Sequence, residues 1–200
     1  MRKLDLVLFD YGTGNLHSLG KALDLGGHDV HVEDDPARIR GADALILPGV
    51  GAFGAAASRL APRRAWLRDA LRDGLPCLGI CLGMQLLFAT SEEGEGEGLG
   101  VLPGRVRRLH AARLPQMGWN SVETIEDPLF AGVQDLVAYY ANSFVAETDA
   151  ATVIGWTTYA SDRFAAAVRA GRTVGVQFHP EKSGGPGLRV IENFLREVAT

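Results

Sequence analysis

The sequence is poor in cysteine and in charge of one sign. Its two cysteines, Cys77 and Cys81, share one short apolar segment and cannot form the framework of a disulfide-rich domain. Because the five histidines are scattered along the chain, no cysteine–histidine cluster predicts a structural zinc site. The formal net charge of −4 excludes the basic surface on which nucleic-acid binding depends.

Long hydrophobic runs are also missing. No apolar run reaches the roughly 18 residues that indicate a membrane span, and Asp10 interrupts the N-terminal run too early for a signal peptide. We therefore expect a cytoplasmic protein that binds neither a membrane nor nucleic acid. Hydrophobic residues make up 46% and charged residues 22% of the 200 residues, which is typical of a globular protein and predicts one domain over 1–200.

The order of apolar segments predicts an α/β fold. Strand-like runs at 4–9, 29–33, 44–47 and 75–80 alternate with helical patterns at 15–25, 62–72 and 82–89. This alternation is typical of βαβ units on a mostly parallel central sheet flanked by helices. An acidic, glycine-rich loop over 92–100 then leads to short strand-like segments at 101–109, 121–124, 137–145, 152–159, 164–169 and 173–178, and to a closing helix at 188–198. These indicate an added antiparallel region in the second half.

The segment Gly79-Ile80-Cys81-Leu82-Gly83 has the pattern of a nucleophile elbow, with cysteine in place of serine. It lies where a buried strand turns into a helix. The flanking glycines are explained by the sharp turn, in which neighbouring side chains would clash, and the helix N-terminus would stabilise a thiolate. The alternative is a buried structural cysteine, which is the better interpretation for Cys77 in mid-strand.

A second motif, Gln177-Phe178-His179-Pro180-Glu181, lies at the end of the last strand-like run. Residues i and i+2 of a strand face the same side, so His179 and Glu181 could align. A histidine that accepts a thiol proton needs a carboxylate to fix its tautomer. A solvated histidine beside a surface glutamate is the alternative, but both motifs follow apolar strands, and ligands in open α/β sheets bind at that edge.

A third motif, Pro48-Gly49-Val50-Gly51, follows the strand at 44–47. Acyl transfer from a thiolate creates an oxyanion that two preorganised backbone N–H groups would stabilise. We expect one from Leu82, directly after the nucleophile, and the other from the Val50-Gly51 turn. A plain turn is the alternative.

In their order along the chain, 48–51, 79–83 and 177–181, the three motifs resemble those of the class I glutamine amidotransferases, which use a Cys-His-Glu triad. Within that class, the segments 81–85 (CLGMQ), 116–120 (QMGWN) and 177–183 (QFHPEKS) are similar to those of the glutaminase subunits of imidazole glycerol phosphate synthases. The resemblance spans most of the chain. It implies the flavodoxin-like fold of the class and a subunit that is separate from its synthase partner.

The resemblance implies a reaction. Cys81 would be the nucleophile, His179 the general base and then acid, and Glu181 the residue that orients the histidine. L-glutamine would be hydrolysed to glutamate and ammonia through a glutamyl thioester, without metal or organic cofactor. The ammonia would pass to a (β/α)8-barrel cyclase subunit of a heterodimer, which makes imidazole glycerol phosphate and an aminoimidazole carboxamide ribotide (AICAR) in histidine biosynthesis.

Further roles follow from the same resemblance. Gly49, Gln85, Glu93, Asn142 and Ser143 match positions that bind the substrate, with Glu93 meeting its ammonium group. Relatives often have a histidine at the position of Asn142.

The partner-facing positions come from the resemblance as well. Met117, Trp119, Asn120 and Lys182 match positions that face the cyclase, although Trp119 could instead be a core aromatic and Lys182 a solvated charge. The resemblance also implies that the 49–51 turn can point a carbonyl into the oxyanion site, which would leave the free subunit nearly silent until the cyclase binds its ligand.

Three other interpretations remain open. A stand-alone γ-glutamyl cysteine hydrolase would need no partner and should not expose an apolar patch around Trp119. The glutaminase subunit of another amidotransferase would differ in its partner-facing residues. A binding subunit without catalysis is disfavoured by the intact Cys81, His179 and Glu181.

Overall fold

A computed structural model describes residues 2–12, 16–24, 26–49 and 51–200. The strands in these ranges are β1 (Asp5–Phe9), β2 (Asp29–Glu33), β3 (Ala44–Leu47), β4 (Cys77–Ile80), β5 (Arg105–Arg108), β6 (Gln116–Ser121), β7 (Glu123–Thr124), β8 (Val137–Asn142), β9 (Phe144–Glu147), β10 (Val153–Tyr159), β11 (Asp162–Ala170) and β12 (Thr173–Val176). The helices are α1 (His17–Asp24), α2 (Pro36–Gly41), α3 (Phe53–Leu60), α4 (Arg64–Arg72), α5 (Leu82–Gln85) and α6 (Gly184–Ala199).

The main sheet has the order β2-β1-β3-β4-β12-β11-β10-β7. Its first five strands are parallel to their neighbours, and from β12 onward the pairing is antiparallel. Strand β9 joins β11 and also pairs with β5, whereas β6 and β8 form a separate antiparallel ribbon. The predicted α/β fold, with a mostly parallel sheet and an antiparallel addition, is confirmed.

The central strands are buried because helices cover both faces of the sheet. β3 and β4 are buried along their whole length, as expected for parallel strands of this kind. The apolar sides of α1 and α6 pack against one face of the sheet. They contribute Leu19, Leu23, Val190, Ile191 and Phe194 to the hydrophobic core there. On the other face α3 and α4 contribute Phe53, Leu60, Leu67 and Leu71.

Several predicted elements differ from the structure. Helices α2 and α3 were not predicted, although Phe53, Ala56, Ala57 and Leu60 have helical spacing and form the buried side of α3. The helix predicted over 62–72 is a 3-10 turn followed by α4. The helix predicted over 82–89 ends at Gln85, because the Leu87 and Phe88 N–H groups bond to carbonyls three residues back.

The second half differs mainly in strand lengths. The run predicted over 137–145 is divided between β8 and β9, and the closing helix begins four residues earlier than predicted, at Gly184. The 121–124 run is divided between the end of β6 and the short β7. None of the helices in the described ranges is long and apolar enough to cross a membrane.

Candidate active site

The cysteine and histidine motifs meet at one edge of the sheet. Strands β4 and β12 are parallel neighbours with Ile80 opposite Val176, so their carboxyl ends lie side by side. The backbone N–H of Cys81 donates to the carbonyl of Val176 at 2.7 Å. The chain that follows β12 therefore begins next to Cys81, as the sequence predicts.

Cys81 has the strained backbone of a nucleophile elbow. Its φ of 50° and ψ of −106° lie in a region that side-chain-bearing residues rarely adopt. A Cβ at Gly79 would lie 2.7 Å from the Gly83 carbonyl oxygen, and a Cβ at Gly83 would overlap the carbonyl oxygen of Leu47. The turn thus requires glycine at both positions, and it holds a nearly buried thiol at the start of α5.

Cys77 lies in a different environment. It is completely buried at the start of β4, and this burial raises the pKa of its thiol well above the ordinary value. A neutral, inaccessible thiol is a poor nucleophile, so the structure separates the two cysteines as the sequence does.

His179 and Glu181 form the predicted pair, but by a different route. Nδ1 of His179 lies 2.9 Å from Oε1 of Glu181, and both side chains are largely buried. The prediction that both lie on a strand was wrong: β12 ends at Val176, and Pro180–Lys182 is a 3-10 turn. The turn folds the carboxylate back onto the ring. Because a carboxylate only accepts, Nδ1 carries the proton and Nε2 is left for the sulfur.

The pKa of His179 reflects this pairing. Burial alone would lower it, but hydrogen bonds with Cys81 and Glu181 outweigh the desolvation and raise the pKa to about 9. The direction favours an imidazolium beside the sulfur at neutral pH. Such a group can protonate a leaving amine.

Gly49 packs directly against the nucleophile. A Cβ at Gly49 would lie 2.8 Å from Cβ of Cys81 and 3.0 Å from Cε1 of His179, so no side chain fits there. Gly51 has a φ of 97°, which favours glycine. Leu82 begins α5, and its N–H therefore has no acceptor within the helix. Val50, the other predicted contributor to the oxyanion hole, lies outside the described residues.

An amide cluster forms the wall beside Cys81. Nε2 of Gln85 donates to the carbonyl of Phe144 at 3.0 Å and to Oε1 of Gln177 at 3.1 Å. Nε2 of Gln177 in turn lies 3.5 Å from Sγ of Cys81. Asn142 donates to the same Phe144 carbonyl at 3.1 Å. Sequence reasoning quoted Gln177 within its motif but assigned it no role; its place beside His179 was the available signal.

The two remaining substrate-binding candidates lie at separate points. Oε2 of Glu93 accepts from the backbone N–H of Phe53 at 3.1 Å, at the start of α3 and close to Gly51 in sequence. The backbone carbonyl of Ser143 accepts from the N–H of Leu109 at 2.9 Å.

The partner-facing candidates lie on the β6–β8 ribbon and beside it. Met117 is 68% exposed and Trp119 is 60% exposed, which excludes the interpretation of Trp119 as a core aromatic. The Trp119 ring meets Tyr139 edge-on at 6.0 Å, and Nζ of Lys182 lies 6.0 Å from the same Tyr139 ring. Asn120 instead donates to the carbonyl of Thr158 at 2.9 Å.

A cleft of about 130 Å³ opens beside the His179–Glu181 pair. Pro48, Gly49, His179, Glu181 and Lys182 line it together with Leu16, Ser18 and Leu19. Within the described ranges, no group of three or more His, Cys, Asp or Glu side chains is arranged to hold a metal ion.

A family model for class-I glutamine amidotransferases matches residues 7–198. The chain belongs to this family. Its amidotransferase relatives include proteins named imidazole glycerol phosphate synthase subunit HisH. The one from Thermococcus kodakarensis is 46% identical, covering 96% of this chain and 99% of its own. The one from Halobacterium salinarum is 43% identical, covering 97% and 94%.

Solved structures give the same fold at low sequence identity. A crystal structure of a glutamine amidotransferase has a TM-score of 0.77 at 21% identity and covers 97% of this chain and 99% of its own. The structure of PurLQS from Thermotoga maritima has a TM-score of 0.76 at 19% identity, covering 98% and 100%. These likenesses support the amidotransferase fold.

Proposed function

We propose that this amidotransferase is the glutaminase subunit of an imidazole glycerol phosphate synthase. The observation that carries the proposal is the arrangement of Cys81, His179 and Glu181 at one edge of the sheet. In it, Nδ1 of His179 lies 2.9 Å from Oε1 of Glu181. The full-length similarity to relatives named as subunits of that synthase supports the choice of synthase.

The first half of the reaction forms a thioester. Sγ of Cys81 attacks the side-chain amide carbon of L-glutamine while His179 holds the thiol proton. The tetrahedral oxyanion is stabilised by the N–H of Leu82 and by the 50–51 turn. His179 then gives its proton to the departing nitrogen, the carbon–nitrogen bond breaks, and ammonia leaves.

The second half hydrolyses the thioester. His179 accepts a proton from water as the water attacks the acyl carbon. The carbon–sulfur bond breaks, glutamate is released, and the thiol is restored. Throughout, Glu181 fixes the tautomer of His179 and stabilises its positive charge.

Substrate binding is assigned to groups around the elbow. Gly49 lies close against Cys81 and His179, and its backbone is proposed to contact the substrate amide. Gln85, Asn142 and Ser143 are proposed to contribute to the wall of the pocket. Glu93, at the start of α3, is proposed to meet the substrate ammonium.

The ammonia is proposed to pass to a (β/α)8-barrel cyclase subunit in a heterodimer. The cyclase makes imidazole glycerol phosphate and AICAR, a step of histidine biosynthesis. The exposure of Met117 and Trp119 supports a protein partner, because a stand-alone hydrolase has no need of an exposed apolar patch there. Lys182, close to both Glu181 and Tyr139, is proposed to contact the same partner.

The test measures glutamate release from glutamine by the chain alone, with a cyclase subunit, and with the cyclase plus its nucleotide ligand. Cys81→Ala is the control. We expect a large rise that needs both the partner and its ligand and vanishes in the variant. Strong release without any partner would contradict the proposal and favour a stand-alone hydrolase.

A further inference from the structure

Gln177 is an unassigned buried group in contact with the nucleophile. Its side chain is completely buried, and its Nε2 lies 3.5 Å from Sγ of Cys81, within hydrogen-bond range of sulfur. It follows β12 and comes two residues before His179, so the segment after β12 brings two side chains to the same sulfur. Neither the triad nor the oxyanion hole makes use of this amide.

The orientation of the Gln177 amide is fixed from a distant backbone group. The Phe144 carbonyl can only accept, so the atom of Gln85 that faces it must be the donor Nε2. The same Nε2 lies 3.1 Å from the Gln177 side chain, which must therefore present its oxygen. The Gln177 nitrogen is then the atom that faces the sulfur.

The consequence for Cys81 is a fixed direction for its proton. A sulfur that receives an N–H from Gln177 cannot direct its own S–H toward that amide. The thiol proton is left to His179, and once it has moved, the N–H becomes a charge-assisted donor to the thiolate. Such hydrogen bonds are stronger than those to a neutral group.

We propose that Gln177 is a further catalytic residue, which donates to the Cys81 sulfur, and that Gln85 acts through it as a positioning residue. The inference rests on the proposed function in that Cys81 is the nucleophile. In this arrangement a chain of hydrogen bonds runs from the Phe144 carbonyl through Gln85 and Gln177 to the sulfur. It favours the thiolate, and none of its three members is a titratable group.

The other groups around the sulfur have distinct roles. His179 is its titratable neighbour, with Glu181 behind the ring. Asn142 of β8 has an uncharged amide, which donates to the same Phe144 carbonyl as Gln85. A change at Gln177 therefore removes a donor to the sulfur and leaves the histidine–carboxylate pair in place.

The experiment measures the rate of Cys81 alkylation by iodoacetamide as a function of pH, with the modified peptide identified by mass spectrometry. The variants are Gln177→Met, which keeps the length of the side chain without its amide, and Gln85→Met. Gln116→Met is the matched control, because Gln116 is equally buried but its amide has no hydrogen-bond partner in the described structure. The same proteins are assayed for glutamine turnover.

We expect Gln177→Met to move the alkylation profile about one pH unit higher, a roughly tenfold change in the thiol–thiolate balance. We expect kcat to fall by a similar factor with KM for glutamine little changed. Gln85→Met should move the profile in the same direction, and Gln116→Met should leave it in place. If Gln177→Met fails to fold, Gln177→Glu keeps the length and the acceptor for Gln85, and its carboxyl should also move the profile higher.

An unmoved profile in the folded Gln177 variants, with a wild-type enzyme that is active and alkylated at Cys81, would overturn this inference alone. A wild-type chain that releases no glutamate with the cyclase and its ligand would instead count against the proposed function. The two failures are therefore distinguishable.

Discussion

The backbone N–H of His179 donates to the carbonyl of Tyr139 at 2.8 Å. The histidine of the candidate triad is thus hydrogen-bonded directly to β8, the strand whose outer face carries Tyr139 opposite Trp119. The hydroxyl of Ser183 adds a second connection, because it contacts both the Tyr139 N–H at 2.9 Å and the His179 carbonyl at 2.6 Å. A partner that contacts this ribbon would therefore lie one hydrogen bond from the catalytic histidine.

Trp119→Ala should weaken binding of the cyclase without unfolding the chain. An exposed tryptophan that becomes central to an interface typically contributes enough for about a 30-fold loss of affinity. The measurement is the dissociation constant by calorimetry. Val32→Ala is the control, since Val32 is 50% exposed on β2, which lies at the opposite end of the main sheet from β7. Equal affinities for both variants would remove the ribbon from the interface.

Glu181→Gln should abolish most glutaminase activity while the fold is kept. The amide is isosteric, but it removes the negative charge that stabilises the imidazolium and allows the wrong tautomer, so we expect kcat to fall by about 100-fold or more. Activity with the cyclase present is the readout. Glu123→Gln, which removes an exposed ion pair with Arg163, should be unaffected. If Glu181→Gln keeps the wild-type kcat, Glu181 does not orient His179 for catalysis.

Stability should decrease with pH because of His179. Its folded pKa is raised from 6.5 to about 9, so its stabilising contribution is complete below 6.5 and is lost as the pH rises through about 9. We expect the free energy of unfolding to fall by about 1–3 kcal/mol over this interval. Urea denaturation at both ends of the interval measures it. Cys81→Ala removes one hydrogen-bond partner and should flatten the dependence, whereas a slope unchanged from wild type would contradict the pairing.

Gly83→Ala should severely destabilise the elbow. Its Cβ would overlap the Leu47 carbonyl, a backbone atom that cannot move without disturbing β3. We expect a loss of about 3 kcal/mol or more in urea denaturation. Gly20→Ala in α1 is the control, because nothing lies within 4 Å of its added Cβ, and alanine in a helix should stabilise by about 0.5–1 kcal/mol. Comparable stability of the two variants would contradict the steric account.

Local sequence signals predicted the central part of the fold. The bounds of β2 and β3 match those predicted, because short runs of apolar or alternating residues end at clear turn signals. Helix α2 also had such signals, with Asp35 as its N-cap and Pro36 in its first turn. It was therefore predictable from the sequence, although it was not predicted. The early end of α5 at Gln85 was not predictable, because the N–H groups of Leu87 and Phe88 bond to carbonyls three residues back within an apolar run, 86–89, that contains no glycine or proline.

The site was predictable where its parts are adjacent in the sequence. The elbow around Cys81 and the pairing of His179 with Glu181 follow from short motifs, although the latter is made by a turn and not by strand alternation. The orientation of Gln177 depends on the Phe144 carbonyl, reached through Gln85. Contacts between residues this far apart in the chain arise only from the folded sheet.

The most direct test of the account is detection of a glutamyl thioester. The chain, with the cyclase and its ligand, is mixed with isotope-labelled glutamine, quenched in acid and digested, and the labelled peptide is identified by mass spectrometry. We predict the label on the peptide that contains Cys81, also in Cys77→Ala, and none in Cys81→Ala. Glutamate release that persists in Cys81→Ala, or a label carried by another residue, would contradict the account.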